Sequence, residues 1–234
     1  MSKTKLLIIG YSSFVRRRIE PSLKKNKLFE YCISSKSNKI NTNKKILYNN
    51  YEEALKKFAP EIVYISTVNS LHYDYAKKIL NKGFNVIVDK PVTLNIKATK
   101  TLLKIAKEKK LLLAEATLFN YHRVFDIMKR LCNGINQIEH IQSNLNHPLV
   151  RSPREIAKIN GDCESDMSPY AAAIIRLFIK NNLKNLSINR NYFINSKVVK
   201  NFYITTNSKT CNYFGNFSFK REYNQQIIFY TKDK

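Results

Sequence analysis

Apolar and polar positions alternate in two different ways along this chain. In the first half, short apolar runs stop at glycine or polar residues and give way to stretches with helical spacing. Lys5–Ile9 is such a run, ending at Gly10. Ser13–Lys25 follows with helical spacing, although Pro21 weakens its latter half. Phe29–Ser34 is the next strand, Lys36–Lys45 a polar loop, Ile46–Tyr48 a short strand and Tyr51–Phe58 a short helix. Then come a strand at Glu61–Ser66, a helix at Ser70–Asn81 closed by Gly83, and a strand at Asn85–Val88. A helix over Asn95–Lys109 carries Ala98, Leu102, Ile105 and Ala106 on one side, and Leu111–Ala114 is a further strand. Strands that alternate with helices imply right-handed crossovers around a doubly wound parallel sheet.

The pattern changes near Tyr121. Val124–Leu131 reads as a helix, Ile135–Asn146 as a strand with one wet face, and Ser165–Ile179 as a helix with Ala171, Ile174, Ile175 and Phe178 inward. Strand-like stretches follow at Leu186–Ile194, Val198–Thr206, Asn212–Lys220 and Gln226–Thr231. The expectation is an α/β unit over residues 1–121 and, over 122–234, an α+β unit on a mostly antiparallel sheet. No repeat and no low-complexity linker separates them.

Composition narrows this little. The chain has 234 residues, 44% of them hydrophobic, enough for a real core. No run of 18 apolar residues calls for a membrane span, and the N-terminus reads as a strand, not a signal peptide. Cys32, Cys132, Cys163 and Cys211 lack metal-ligand or redox spacing, which suits reduced thiols in a cytoplasm and no metal. Lys and Arg total 41 against 17 Asp and Glu, a net charge of +24. Pairs such as Lys24-Lys25, Lys44-Lys45, Lys56-Lys57, Lys77-Lys78 and Lys109-Lys110 spread this charge along the whole chain. With no zinc-finger spacing or aromatic reading motif beside them, nucleic acid ranks last as a partner. A lysine- and asparagine-rich composition of the kind an AT-rich genome yields explains the charge, and an anionic ligand would still be favoured.

Candidate chemistry gathers at the carboxyl ends of the first-half strands, where ligands bind in such sheets. "GYSSFV" follows a strand and opens a helix, the context of a dinucleotide fingerprint, but Ser12 and Val15 stand where the second and third glycines belong. Gly10, Ser12, Ser13 and Phe14 are the candidate phosphate turn, using the free amides of a helix N-terminus; a plain strand–turn–helix reads equally well. The second strand ends in Ser34, Ser35 and Lys36, without the acid that would grip a ribose 2′-hydroxyl. Ser35 and Lys36 suit a 2′-phosphate, so NADP is favoured over NAD; an ordinary polar loop is the alternative.

Four further pieces, "STVNSLHYDYA", "DKPVTLN", "LLAEATLFNYH" and "GDCESDMSPYAAAIIRLF", stand in a telling order. Asp89-Lys90-Pro91, the Glu115, Ala116 and His122 segment, and Asp166 with Tyr170 make the chain resemble the glucose–fructose oxidoreductase / inositol dehydrogenase / Gfo-Idh-MocA family, nearest its sugar ketoreductases. The resemblance implies a Rossmann-like first domain and hydride transfer between a nicotinamide and a sugar or nucleotide-linked keto-sugar. It places Lys90 at the nicotinamide, with Pro91 after a cis peptide bond, and makes Tyr170 the proton donor. An ammonium lowers a phenol's pKa from about 10, so the pair suits acid–base work. Asp166, one turn from Tyr170, binds substrate or holds Lys90; the alternative is a helix-dipole partner. Thr67, Asn69, His72 and Asp89 fall on the cofactor side, with capping by Asn69 or Ser70 as the alternative. Glu115 and His122 contact the cleft or brace the hinge; His140 and His147 match nothing.

Three departures stand out: the damaged glycine pattern, Asp89 in place of Glu, and the charges of "GDCESD". The chain also reads as short for that family at its C-terminal side, leaving the second sheet incomplete. A catalytically impaired relative, binding dinucleotide or serving as an oligomeric module, is the rival reading. Many relatives assemble through the open face of that sheet, so a homo-oligomer is the expected assembly.

Overall fold

The computed structural model describes residues 2–36, 47–148, 155–156, 161–179, 183–220 and 222–232. Most of the expected polar loop, the Lys44-Lys45 pair and Ile46 lie outside the described residues. The chain falls into two compact units, Met1–Ala116 and Thr117–Lys234.

In the first unit, β1 (Thr4–Ile9), β2 (Phe29–Ser34), β3 (Leu47–Tyr48), β4 (Ile62–Ile65), β5 (Asn85–Asp89) and β6 (Leu113–Ala116) form one sheet in the order β3-β2-β1-β4-β5-β6. Every pairing in it is parallel. Alternate residues of the strands bury on opposite faces. Leu7, Ile9, Val63, Ile65, Val86 and Val88 pack under helices, while Leu6, Ile8, Ile33 and Tyr64 pack with Val15 on the other side. A fully buried side chain of this kind stabilises the fold by about 1.5–3 kcal/mol.

Caps and charges set the helices. The Asn50 side chain accepts the Glu52 amide at 2.8 Å and opens α2 (Tyr51–Phe58), with acids in its first turn and lysines in its last. The Asn95 side chain accepts the Ala98 amide at 2.9 Å and opens α4 (Ile96–Glu108). Between them α3 (His72–Asn81) follows a 3-10 turn, Asn69–Leu71.

Pro21 does not interrupt the first helix. A π-helical turn, Val15–Ile19, leads into α1 (Glu20–Lys25), and the Glu20 amide reaches back to the Val15 carbonyl. The widened turn moves the bonding register just ahead of the proline, which has no amide to donate.

In the second unit, β7 (Ile138–Pro148), β8 (Lys184–Tyr192), β9 (Val199–Asn207), β10 (Asn212–Lys220) and β11 (Asn224–Thr231) lie in the order β11-β7-β10-β9-β8. Three pairings are antiparallel and β10–β7 is parallel, so the sheet is mostly antiparallel. One face packs against α6 (Cys163–Ile174) and its π-helical extension Ile175–Ile179. Its core holds Phe202 stacked on Phe217 at 4.8 Å, with Phe178, Ile141 and Ile174. Gly215 is required there, because an added Cβ would come within 2.6 Å of the Phe217 ring and 2.7 Å of the Tyr213 hydroxyl. Helix α5 (Arg123–Leu131) begins at His122, whose Nδ1 accepts the Val124 amide at 3.2 Å.

Several boundaries differ from the sequence reading. β6 begins at Leu113, not Leu111, because the chain leaving α4 turns through Lys110 at φ +55° and the Leu111 amide returns to the Ala106 carbonyl. β7 begins at Ile138, since Gly134, at φ +102°, turns the chain into a 3-10 turn at Ile135–Gln137. Neither Asn69 nor Ser70 caps α3, and no side-chain cap opens either that helix or the turn before it. Two of the three "GDCESD" charges are structural: Asp162 caps α6 by accepting the Ser165 amide at 2.8 Å, and Glu164 takes both arms of Arg190, one at 2.6 Å.

Candidate functional site

A cavity of about 710 Å³ opens beyond the carboxyl ends of β1, β2 and β4, where the strand order reverses direction. Gly10, Ser35, Lys36 and Thr67 line it, with Tyr51 and Tyr75 set edge to face at 5.6 Å. Gly10 sits at φ +97°, and a Cβ there would collide with the Ser66 carbonyl. Only a residue without a side chain fits between the turn and that carbonyl. Ser13 and Phe14 form the first helical residues after the turn.

Ser12 takes no glycine-like role. Its hydroxyl accepts the Val15 amide at 3.1 Å and its carbonyl accepts the Arg16 amide at 3.1 Å, so Ser12 caps the helix. This leaves the Ser13 and Phe14 amides as the unpaired first-turn donors that an anion could use. The adjoining Tyr11 hydroxyl donates to buried Glu20 at 2.6 Å, and Tyr31 reaches the same carboxylate at 3.4 Å. Burial and that carboxylate push both phenols up to about 12.

The signature turn follows β5. The Lys90–Pro91 peptide bond is cis. Asp89 accepts the Lys90 amide at 3.1 Å and the Ser66 hydroxyl at 3.0 Å; burial raises its pKa, against those two hydrogen bonds and the His72 and Lys90 charges. His72 is fully buried, with Nδ1 2.8 Å from the Pro91 carbonyl and Nε2 3.3 Å from that of Thr67. Glu115 accepts the Val92 amide at 2.8 Å. Gly10, Ser12, Thr67, His72, Asp89, Lys90 and Glu115 are thus tied into adjoining turns at one end of the sheet. Asn69 lies apart from the cavity, in a separate hollow of about 350 Å³ beside Thr93 and Asn95.

In the second unit, Asp166 and Tyr170 are both half-buried on α6. Asp162 holds the capping position, and Asp166 is one of two acids in the first turn of that helix, the place of a helix-dipole partner. The Tyr170 ring packs edge to face on Phe119 at 5.3 Å. His122 caps α5 and lines a small apolar cavity of about 270 Å³ with Phe119 and Phe125.

Ser66, Tyr51 and Tyr75 were not singled out from the sequence. The first left a faint signal, as the small polar residue closing the "YIS" strand just before Thr67. The two tyrosines gave none, since each sits on an amphipathic helix where a core role is the ordinary assignment.

The class follows from this geometry: a dinucleotide-binding α/β unit, then an α+β unit on a mixed, mostly antiparallel sheet. Residues 4–117 match the oxidoreductase family with the NAD-binding Rossmann fold, Gfo/Idh/MocA. That match covers the first unit, where the Asp89-Lys90-Pro91 and Glu115-Ala116 motifs lie. A Xenopus laevis trans-1,2-dihydrobenzene-1,2-diol dehydrogenase is 23% identical over 133 residues, 56% of this chain and 40% of that protein. The Streptomyces violaceoruber dTDP-3,4-didehydro-2,6-dideoxy-alpha-D-glucose 3-reductase is 27% identical over 139 residues, 57% of this chain and 40% of its own length. The matched stretch therefore spans well under half of these curated relatives. Among solved structures, the 3-ketoreductase KijD10 of Actinomadura kijaniata, crystallised with NADP and TDP-benzene, shares the fold at a TM-score of 0.86. It is 20% identical, over 99% of this chain and 74% of KijD10. Among the described residues, no helix is long and apolar enough to cross a membrane and no cluster of metal-ligand residues occurs.

Proposed function

We propose that this protein is an NADP(H)-dependent oxidoreductase acting on a sugar or a nucleotide-linked keto-sugar. The observation that carries the reading is the cavity at the switch point, with a side-chain-free Gly10 at its floor and Ser35 and Lys36 where a ribose phosphate would lie. No carboxylate follows β2 before Lys36, so a 2′-phosphate meets a cation rather than an acid. The bound nicotinamide would supply or accept the hydride. Gly10 and the amides of Ser13 and Phe14 hold the pyrophosphate; Thr67 and the turn built on Asp89 and Glu115 bound the same end of the sheet. Lys90 orients the nicotinamide end. Tyr170 gives a proton to the forming sugar alkoxide, with Asp166 holding a substrate hydroxyl. Ketoreduction of a dTDP-linked sugar by the Streptomyces relative, and TDP-benzene with NADP in KijD10, support this substrate class.

The test is a fluorescence titration with NADPH, then NADPH oxidation measured across a panel of keto-sugars. Lys90→Ala with Tyr170→Phe should abolish turnover while the melting temperature stays near that of the wild type. Full activity in the double variant would refute the role assignment. NADPH binding without turnover by the wild type would favour the non-catalytic relative.

Copies of the chain assemble, on this reading, through the open face of the second sheet. Across it, paired positions form rows such as Asn224, Asn146, Ser218, Asn201 and Asn191, then Gln226, Asn144, Asn216, Tyr203 and Asn189. Neither row carries a charge, in a chain of which 25% is charged. The absence of lysine and acids, with Tyr203 in the second row, favours a protein contact over a solvated face.

A further inference from the structure

We propose that Ser66 is a positioning residue whose buried hydroxyl ties the glycine turn to the turn carrying Lys90. Ser66 is 1% exposed, immediately beyond β4. Its amide donates to the Ile9 carbonyl at 2.9 Å, and its carbonyl is the atom that excludes a side chain from Gly10. Its hydroxyl lies 2.9 Å from that of Ser12 and 3.0 Å from Asp89 Oδ2.

Counting protons fixes the direction of this chain. A hydroxyl has one proton to give. Ser66 gives its proton to the Asp89 carboxylate, so the Ser12 hydroxyl must donate to Ser66. Ser12 can do so because its lone pair already accepts the Val15 amide. The Lys90 amide completes the set on the other oxygen of Asp89. Every donor, from the first turn of the helix to the backbone of Lys90, therefore points toward one carboxylate. Such aligned bonds reinforce one another in a buried setting.

The same geometry accounts for an aspartate where the resemblance leads one to expect glutamate. The shorter side chain puts its carboxylate within reach of both Ser66 and its neighbouring Lys90 amide. A glutamate carries the carboxylate one methylene further along. The Tyr64 hydroxyl, buried beside Ser66 and Asp89, makes no hydrogen bond of good geometry and leaves Ser66 as the link.

The functional consequence rests on the dinucleotide reading above; the structural tie does not. The experiment is amide hydrogen exchange on the cofactor-free protein, followed by NADPH titration. Ser66→Ala should speed exchange about tenfold in both segments, 10–15 and 89–92, and weaken NADPH binding about tenfold. Ser66→Thr, which keeps the hydroxyl, should restore both. Thr101→Ala, half-buried on α4 and outside the cavity at the switch point, should alter neither. Ser12→Ala is the second variant, should Ser66→Ala fail to fold: a purely local cap would loosen 10–15 alone, whereas the tie requires 89–92 to loosen as well. Unchanged exchange at 89–92 in Ser66→Ala, or in Ser12→Ala, overturns the proposal. Coupled loosening in a protein that never binds NADPH would leave the tie standing and sink the dinucleotide reading instead.

Discussion

Replacing Gly10 by alanine probes the tightest contact in the first unit. Two separate penalties are expected. The first is conformational: at φ +97° an L-residue is strained by about 1–2 kcal/mol. The second is a collision with the Ser66 carbonyl, which is backbone and cannot rotate away. Relief requires the ends of β1 and β4 to part. That movement strains the Gly10 amide bond to the Ser34 carbonyl at 2.8 Å and the Ser66 amide bond to the Ile9 carbonyl at 2.9 Å. Losing one of them removes about 1 kcal/mol. The sum is about 2–3 kcal/mol, or roughly 4–12 °C in melting temperature for a chain of this length.

Gly83 provides the internal control. It also has a positive φ, +88°, but an added Cβ there meets nothing within 4 Å. Gly83→Ala should therefore lose only the conformational part. Urea unfolding followed by circular dichroism gives both stabilities. The difference between the two variants isolates the collision, and it should be about 1 kcal/mol or more. Equal losses would refute the claim that the Ser66 carbonyl excludes a side chain from position 10.

Asp89→Asn tests the buried carboxylate by its pH dependence. The folded-state pKa of Asp89 is raised, chiefly by burial, so its contribution is fully present below the unfolded value near 3.9 and is lost as pH rises through the folded value. The stability of Asp89→Asn relative to wild type should therefore grow as pH rises through the acidic range, read as melting temperatures from acid to neutral pH; a difference that shrinks contradicts the shift. Ala59→Gly should stabilise the protein by about 0.5–1 kcal/mol in urea titration, because Ala59 ends α2 in the left-handed region at φ +48°. No gain would mean that the unfolded chain's added freedom cancels the relief. Asn144→Lys with Asn216→Lys should convert an assembled protein to monomer in light scattering, since the two face each other across β7 and β10. Unaltered mass would exclude that face as the contact.

What could be read from the sequence was whatever a local pattern determines. β2, α2 and β10 have the limits their apolar spacing indicates, because cap residues or abrupt polar positions end them. β6 was displaced because Leu111 and Leu112 are as apolar as the strand they precede. The return of the Leu111 amide to the Ala106 carbonyl, and the donation of the Leu112 amide to the Asn85 side chain, take them out of it. The motifs located Lys90, Asp166 and Tyr170 on their elements, yet motif position does not say which way a side chain turns. Asp89 faces inward to Ser66 because β5 and β4 pair with Ile65 opposite Val88, which carries Ser66 and Asp89 to the same level of the sheet. A register between strands more than twenty residues apart is absent from any local window. The damaged fingerprint has the same explanation. Ser12 looks like a loss when compared with glycine, but its hydroxyl caps the helix and meets Ser66, and both partners come from folding rather than from adjacent sequence. The substitutions at Ser12 and Asp89 are thus two ends of one hydrogen-bonded chain.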